Sequence, residues 1–148
     1  MQNITLADVK DILVPVDGSE ASLEALGLAC SMARKRKGDV YAIYVIEVDR
    51  SLPLDAELAD EAASGEAVLK AAREVARKHD HHVRAEILQA RDAAQAISSE
   101  AIERGVDAVI MGIDYDRPFG EFQLQRVATQ VLKHTPCQVW ICRRPVKE

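Results

Sequence analysis

Strict alternation between strand-type and helix-type hydrophobic patterns constrains this chain more than any other feature. The runs DILVPVD (11–17), DVYAIYVIEV (39–48), HHVRAEILQ (81–89), VDAVIMG (106–112) and CQVWIC (137–142) read as strands. Between them apolar residues recur at helical intervals: Leu23, Leu26, Ala29, Cys30 and Ala33, then Leu54, Leu58, Ala62, Leu69, Ala72 and Val75 within 54–78. A third helical segment follows at 92–105, and a fourth at about 122–134 with Leu124, Val127, Ala128 and Val131 on one face. The second strand is almost continuously apolar and rich in β-branched and aromatic residues, as a strand covered on both faces must be. This β-α-β-α-β-α-β-α-β order demands a parallel sheet with right-handed crossovers and helices on both faces, a doubly wound α/β domain.

Local chemistry sets the helix ends. Ser19 predicts an N-cap, and RKRKG (34–38) puts cations at the negative end of the same helix with Gly38 as its stop. Asp92 and Gly105 bracket the third helix in the same way. In the second, Glu66 and Lys70 are spaced for an ion pair and only Gly65 weakens the pattern. Pro15 conflicts with a central strand, because proline cannot donate to a ladder.

The 148 residues predict a single domain spanning 1–148. Nineteen Lys and Arg stand against 24 Asp and Glu, a net charge of −5 without a block of either sign, which argues against a nucleic-acid partner. The apolar runs are too short for a bilayer and MQNITLADVK lacks the pattern of a signal peptide, so the expected location is cytoplasmic, with no membrane association. Cys30, Cys137 and Cys142 contain no CxxC pair; Cys137 and Cys142, five apart on one strand, face opposite sides, which favours core packing over a bridge or metal. His79, His81 and His82 fall at a helix-to-strand junction where no regular spacing gathers three rings around one ion, and they read as surface polar residues. No nucleophile is paired with a base by these assignments, so nothing in the chain demands an enzyme.

In a doubly wound sheet, ligands bind beyond the carboxyl ends of the strands at the switch point, which directs attention to the loops after the first and fourth strands. The stretches ILVPVDGSE (12–20), IYVIEV (43–48), VDAVIMG (106–112) and VATQVLKHTPCQVWI (127–141), in this order along the chain, together resemble the universal stress protein family. The resemblance implies a five-stranded sheet in the order 3-2-1-4-5, of the adenine nucleotide alpha hydrolase-like type, and tolerates proline at position 15. It also implies a homodimer through the last strand and a role in stress response, either alone or with a regulatory protein partner. One branch of the family binds ATP and another does not.

The ATP-binding branch carries, after the fourth strand, a Gly, two residues, a Gly, nine residues, a Gly and then Ser or Thr. Such glycines let main-chain amides approach phosphates. Counted from Gly112, this chain places Tyr115, Gln125 and Arg126 at the other three positions. Within GIDYDRPFGEFQLQR (112–126), Asp114, Asp116 and Glu121 oppose Arg117 and Arg126. The expectation is therefore a protein without a cofactor, with ATP as the alternative. Were a nucleotide to bind, the resemblance carries four residues into its site: Asp17 near the nucleoside, Val45 with its backbone at the base, Gly112, and Arg126 as a phosphate clamp. Otherwise Arg126 is expected to pair with Glu121 or Asp116. On the last strand, Val139, Trp140 and Ile141 are the expected dimer interface, with Trp140 as a candidate anchor or else packed on its own helix.

Overall fold

The computed structural model describes residues 9–117 and 120–146. The first residues, on which the expectation of no leader rests, and positions 118 and 119 of the loop after the fourth strand lie outside the described residues. The elements run β1 (Ile12–Pro15), α1 (Glu20–Arg36), β2 (Val40–Glu47), α2 (Ala59–Lys78), β3 (Val83–Ala90), α3 (Ala93–Arg104), β4 (Ala108–Ile113), α4 (Arg126–His134) and β5 (Gln138–Arg143). All neighbouring strands are parallel, in the order β3-β2-β1-β4-β5.

Two apolar layers cover the sheet. On one face Ile12, Val14 and Val16 of the first strand and its extension pack with Leu26, Ala29 and Cys30 of α1 and Leu69 and Ala72 of α2. On the other, Leu13, Ile43, Val109, Met111 and Ile113 pack with Ile97 and Ala101 of α3 and Ala128 and Val131 of α4. The period of two along each strand produces this division. It also separates Cys142, on the α1 side, from Cys137, on the α3–α4 side. All three cysteines are free, and burial pushes the Cys30 thiol up to about 11.

Three helix boundaries differ from the sequence reading, each for a tertiary reason. Residues 54–58 do not join α2: Ala56 donates to the Pro53 carbonyl in a turn, and Gln89 Nε2 holds the carbonyls of Leu54 and Ala56 at 2.7 and 3.1 Å. Residues 122–125 stay out of α4, because Gln123 donates back to Asp116 and Leu124 packs into the core. At the end of α1 the left-handed cap is Lys37 (φ 57°), not Gly38. Gly38 is required instead by packing, since a Cβ there would stand 1.8 Å from the Lys10 carbonyl oxygen. The caps at Ser19, Asp92 and Gly105 form as expected: Ser19 accepts from the Ser22 amide, Asp92 from the Gln95 amide, and Gly105 closes α3 at φ 62°.

Pro15 finds its place through the splay of the sheet. Ile12 and Val16 both donate to β2, to Asp39 and Ile43, so the nitrogen of residue 15 faces β4. The β1–β4 pairing ends at Leu13↔Val109, whereas β1–β2 continues to Pro15↔Ile43. The proline therefore falls where no ladder bond is asked of it. At the opposite end the same strands are drawn together by Asp107, whose carboxylate accepts from the Lys10 and Asp11 amides, and by Asp11, which accepts from the Asp39 amide. The sheet is closed at its amino ends and parted at its carboxyl ends.

Candidate functional site

The gap between β1 and β4 opens into a crevice of about 260 Å³ on the α3–α4 side of the sheet. Asp17, Ile43, Val45, Glu47, Met111 and Gly112 line it from the strand ends, and Ala93, Ile97, Gln125, Val127 and Ala128 from the first turns of α3 and α4. Larger grooves of about 580 and 540 Å³ run along the outside of α1. The smaller crevice is the better candidate because strand ends, helix N-termini and polar side chains converge there at the switch point.

Asp17 is positioned by its own turn. Its Oδ1 accepts from the Ser19 amide at 2.9 Å and the Ser19 hydroxyl at 2.6 Å, while its amide meets Ser22 Oγ at 3.4 Å. Ser19 Oγ in turn caps α1 by accepting from Ser22. Partial burial raises the Asp17 pKa, but hydrogen bonding to Ser19 and Ser22 outweighs it and holds the carboxyl below its ordinary 3.8. Among the described residues the hydrogen bonds from Ser19 both fall on Oδ1, and Asp17 lines the crevice.

Gly112 does line the crevice, yet its missing side chain serves α1. A Cβ at 112 would stand 1.8 Å from the Ala21 carbonyl oxygen and 3.0 Å from the Ser22 nitrogen, so only glycine lets the first turn of α1 lie on β4. Val45 faces the crevice from β2, opposite Leu88 of β3.

Arg126 finds a partner other than the loop acids expected for it. Its guanidinium pairs with Asp92 Oδ2 at 3.0 Å, not with Glu121 or Asp116, and it is not among the residues lining the crevice. The reason is the approach of the two helix starts: Asp92 caps α3 through Oδ1 and turns Oδ2 to the first residue of α4. Hydrogen bonds from the Gln95 amide and from Arg126 hold the Asp92 carboxyl below its usual value.

The connection after β4 is self-packed. The Tyr115 and Phe122 rings stack at 5.4 Å between centroids and 7° between planes, and the guanidiniums of Arg117 and Arg143 lie 5.5 and 5.1 Å from the Tyr115 centroid. Arg144, following β5, binds Glu20, Glu24 and Asp114 at 3.1, 3.2 and 3.4 Å, and its amide donates to the Ile113 carbonyl. α4 begins without a side-chain cap at Gln125. Sequence reasoning missed Glu47, although its parity with Ile43 and Val45 at the end of β2 places it on the crevice face, and it missed the Asp92–Arg126 pair.

His79 turns to α1, where Nδ1 meets Ser31 Oγ at 3.1 Å. Among the described residues no group of three or more His, Cys, Asp or Glu side chains could hold a metal ion, and no helix is long and apolar enough to cross a membrane. On β5, Val139 and Ile141 pack into the α3–α4 core and Trp140 into the α1 core, with its indole N–H donating to Gln138 Oε1 at 3.0 Å. The Trp140 side chain is half-buried on its own chain and lines the groove beside Leu28 and Met32.

A 3-2-1-4-5 parallel sheet with a crevice at its switch point defines a doubly wound α/β protein. The chain belongs to the universal stress protein family, whose model matches residues 8–143. It is similar to universal stress protein MJ0531 of Methanocaldococcus jannaschii, 31% identical over 145 residues, which cover 94% of this chain and 85% of the relative. Among solved structures, a universal stress protein from Archaeoglobus fulgidus superposes with a TM-score of 0.76 at 20% identity, covering 90% of this chain and 97% of the other. One from the same organism in complex with dAMP gives 0.70 at 18% identity over 90% and 96% of the two chains. A family member from Arabidopsis thaliana with AMP bound gives 0.68 at 18% identity over 93% of each.

Proposed function

We propose that this protein is a non-enzymatic, regulatory member of its family, acting in stress response as a cytoplasmic homodimer, whose crevice does not hold ATP in the manner of the ATP-binding branch. The observation that carries this reading is the connection after β4. Where that branch has glycines whose amides approach phosphate, Tyr115 is stacked on Phe122 and flanked by Arg117 and Arg143. The guanidinium nearest the start of α4 is engaged by Asp92. Chromatography and mass spectrometry of the denatured, freshly purified protein, followed by calorimetric titration with ATP, should give neither released adenine nucleotide nor saturable heat. Stoichiometric nucleotide would reject the reading.

A second reading is kept by a specific observation: Asp17, Val45 and Gly112 do converge on one crevice, and two of the similar folds carry dAMP and AMP. Under it, the chain binds an adenine nucleotide with slow or no hydrolysis through a modified loop. The same titration separates the two.

Self-association through β5 belongs to the first proposal. Among the described residues β5 pairs only with β4, leaving its other edge open, and an apolar open edge invites strand pairing. With Val139 and Ile141 turned into one core and Trp140 into the other, the main chain of β5 supplies the contact and Trp140 borders it. Trp140→Glu should halve the mass measured by light scattering while the melting transition stays cooperative. An unchanged mass in a folded variant rejects this interface.

A further inference from the structure

We propose that the switch-point crevice selects against phosphate: it takes a small, donor-bearing ligand without negative charge, such as an unphosphorylated nucleoside, and Glu47 together with Asp17 enforces that choice. The inference rests on the reading that the crevice does not serve a triphosphate, and extends it by assigning a ligand class.

The geometry of β2 supplies the first argument. Ile43, Val45 and Glu47 alternate onto the face that packs toward α3 and α4, so the Glu47 carboxylate stands at the mouth of the space whose wall is Ile43 and Val45. Asp17 enters from the end of β1. Among the described residues that line the crevice there is no lysine, arginine or histidine.

Cations on the surrounding segments have contacts of their own: Arg91 donates to the Val48 and Asp49 carbonyls, and the Arg117 and Arg143 guanidiniums lie at Tyr115. Arg126 is held by Asp92, and Arg144 by Glu20, Glu24 and Asp114. Helix termini do not reverse the balance. Of the three helices that start at the crevice, α1 and α3 begin with side-chain caps at Ser19 and Asp92, and α4 begins uncapped. Each helix start contributes roughly half a positive charge, so the three together stay below the two carboxylates of Asp17 and Glu47.

The polar valences fit a donor. Asp17 accepts both hydrogen bonds from Ser19 on Oδ1, and Glu47 makes no hydrogen bond or ion pair among the described residues. Hydroxyl or amino groups can satisfy both acceptors, while Ile43, Val45, Ile97, Met111 and Val127 cover an apolar body. A volume of about 260 Å³ suits a ligand of that size, below the ~300–1,000 Å³ of drug-sized pockets.

Calorimetric titration of the full chain at low salt with adenosine, AMP and ATP tests this. Adenosine should bind saturably, AMP about tenfold more weakly or worse, and ATP more weakly still, because like charges brought together at a binding surface are strongly unfavourable. Glu47→Lys, an exposed change at a strand end, should shift the adenosine-to-AMP ratio by about tenfold toward AMP. Glu47→Gln should shift it less, and guards against misfolding of the lysine variant; melting curves report whether each folds. AMP binding as tight as adenosine, no adenosine binding, or a ratio unmoved in both folded variants would overturn the inference and, with ATP still silent, leave the regulatory reading standing. Saturable ATP binding tighter than that of adenosine would overturn both.

Discussion

Two connections reach the same crevice from strand to helix, and they are built on opposite plans. Residues 17–19 turn the chain from β1 into α1 with hydrogen bonds that stay within a few positions: Ser19 to Asp17, then Ser22 to Ser19. Residues 114–125 join β4 to α4 in a long loop held by aromatic stacking and by arginines that arrive from the end of β5. The short turn keeps an ionised carboxylate and a capped helix in place. The long one packs side chain on side chain. One strand framework can therefore carry, at a single crevice, connections held together by quite different interactions.

Gly112 is where the two plans touch, and its substitution should have the largest effect. Gly112→Ala places a Cβ against main-chain atoms of Ala21 that no rotamer change can move aside. Overpacking of this kind costs about 1–3 kcal/mol and more when backbone must shift. Urea unfolding should show a loss at or above the upper end of that range. A variant with unaltered stability would mean that α1 does not rest on β4 as described, and Gly112 would return to consideration as a residue kept for a ligand.

Ser19→Ala comes next, at about 1 kcal/mol for the lost cap. It also removes the hydroxyl hydrogen bond to Asp17 while keeping the one from the residue 19 amide, so the Asp17 pKa should rise part of the way toward its ordinary 3.8, as read by carboxyl-carbon NMR. The sign follows from linkage. A carboxyl whose folded pKa lies below its unfolded value stabilises the fold fully above the unfolded value, near pH 4, and loses that contribution as pH falls through the folded value. The variant should accordingly show a smaller drop in melting temperature on acidification below about pH 4 than the parent chain. An unshifted Asp17 would sever the link between the turn and the carboxylate.

The same contrast explains what could be read from the sequence. The succession of strands and helices and the caps at Ser19, Asp92 and Gly105 follow from local pattern, because each depends on spacing along one element, whereas the sheet order was reachable only through the resemblance. Asp17 and Val45 were reachable through resemblance alone, and the structure brings them together at the strand ends. The start of α2 was not legible, because Gln89 of β3 captures the carbonyls of Leu54 and Ala56 across the fold. Nor was the partner of Arg126: charge counting within the loop favoured Glu121 or Asp116, whereas the packing of α3 beside α4 delivers Asp92 from a segment 34 residues away. The loop's charges could be counted from the sequence, but the stack of Tyr115 on Phe122 required three dimensions.

Arg126→Ala should have the smallest effect and speaks most directly to the long connection. Arg126 is largely exposed, and an exposed ion pair contributes about 0.2–1 kcal/mol, so the melting temperature should fall only slightly. Asp92→Ala should cost more, because it removes the α3 cap along with the pair. Added ATP should leave the melting temperature of both the parent and Arg126→Ala unchanged. An ATP-dependent rise in the parent that disappears in the variant would mean that the guanidinium leaves Asp92 for a phosphate. The two connections would then be halves of one nucleotide site after all, with the arginine standing in for the glycines.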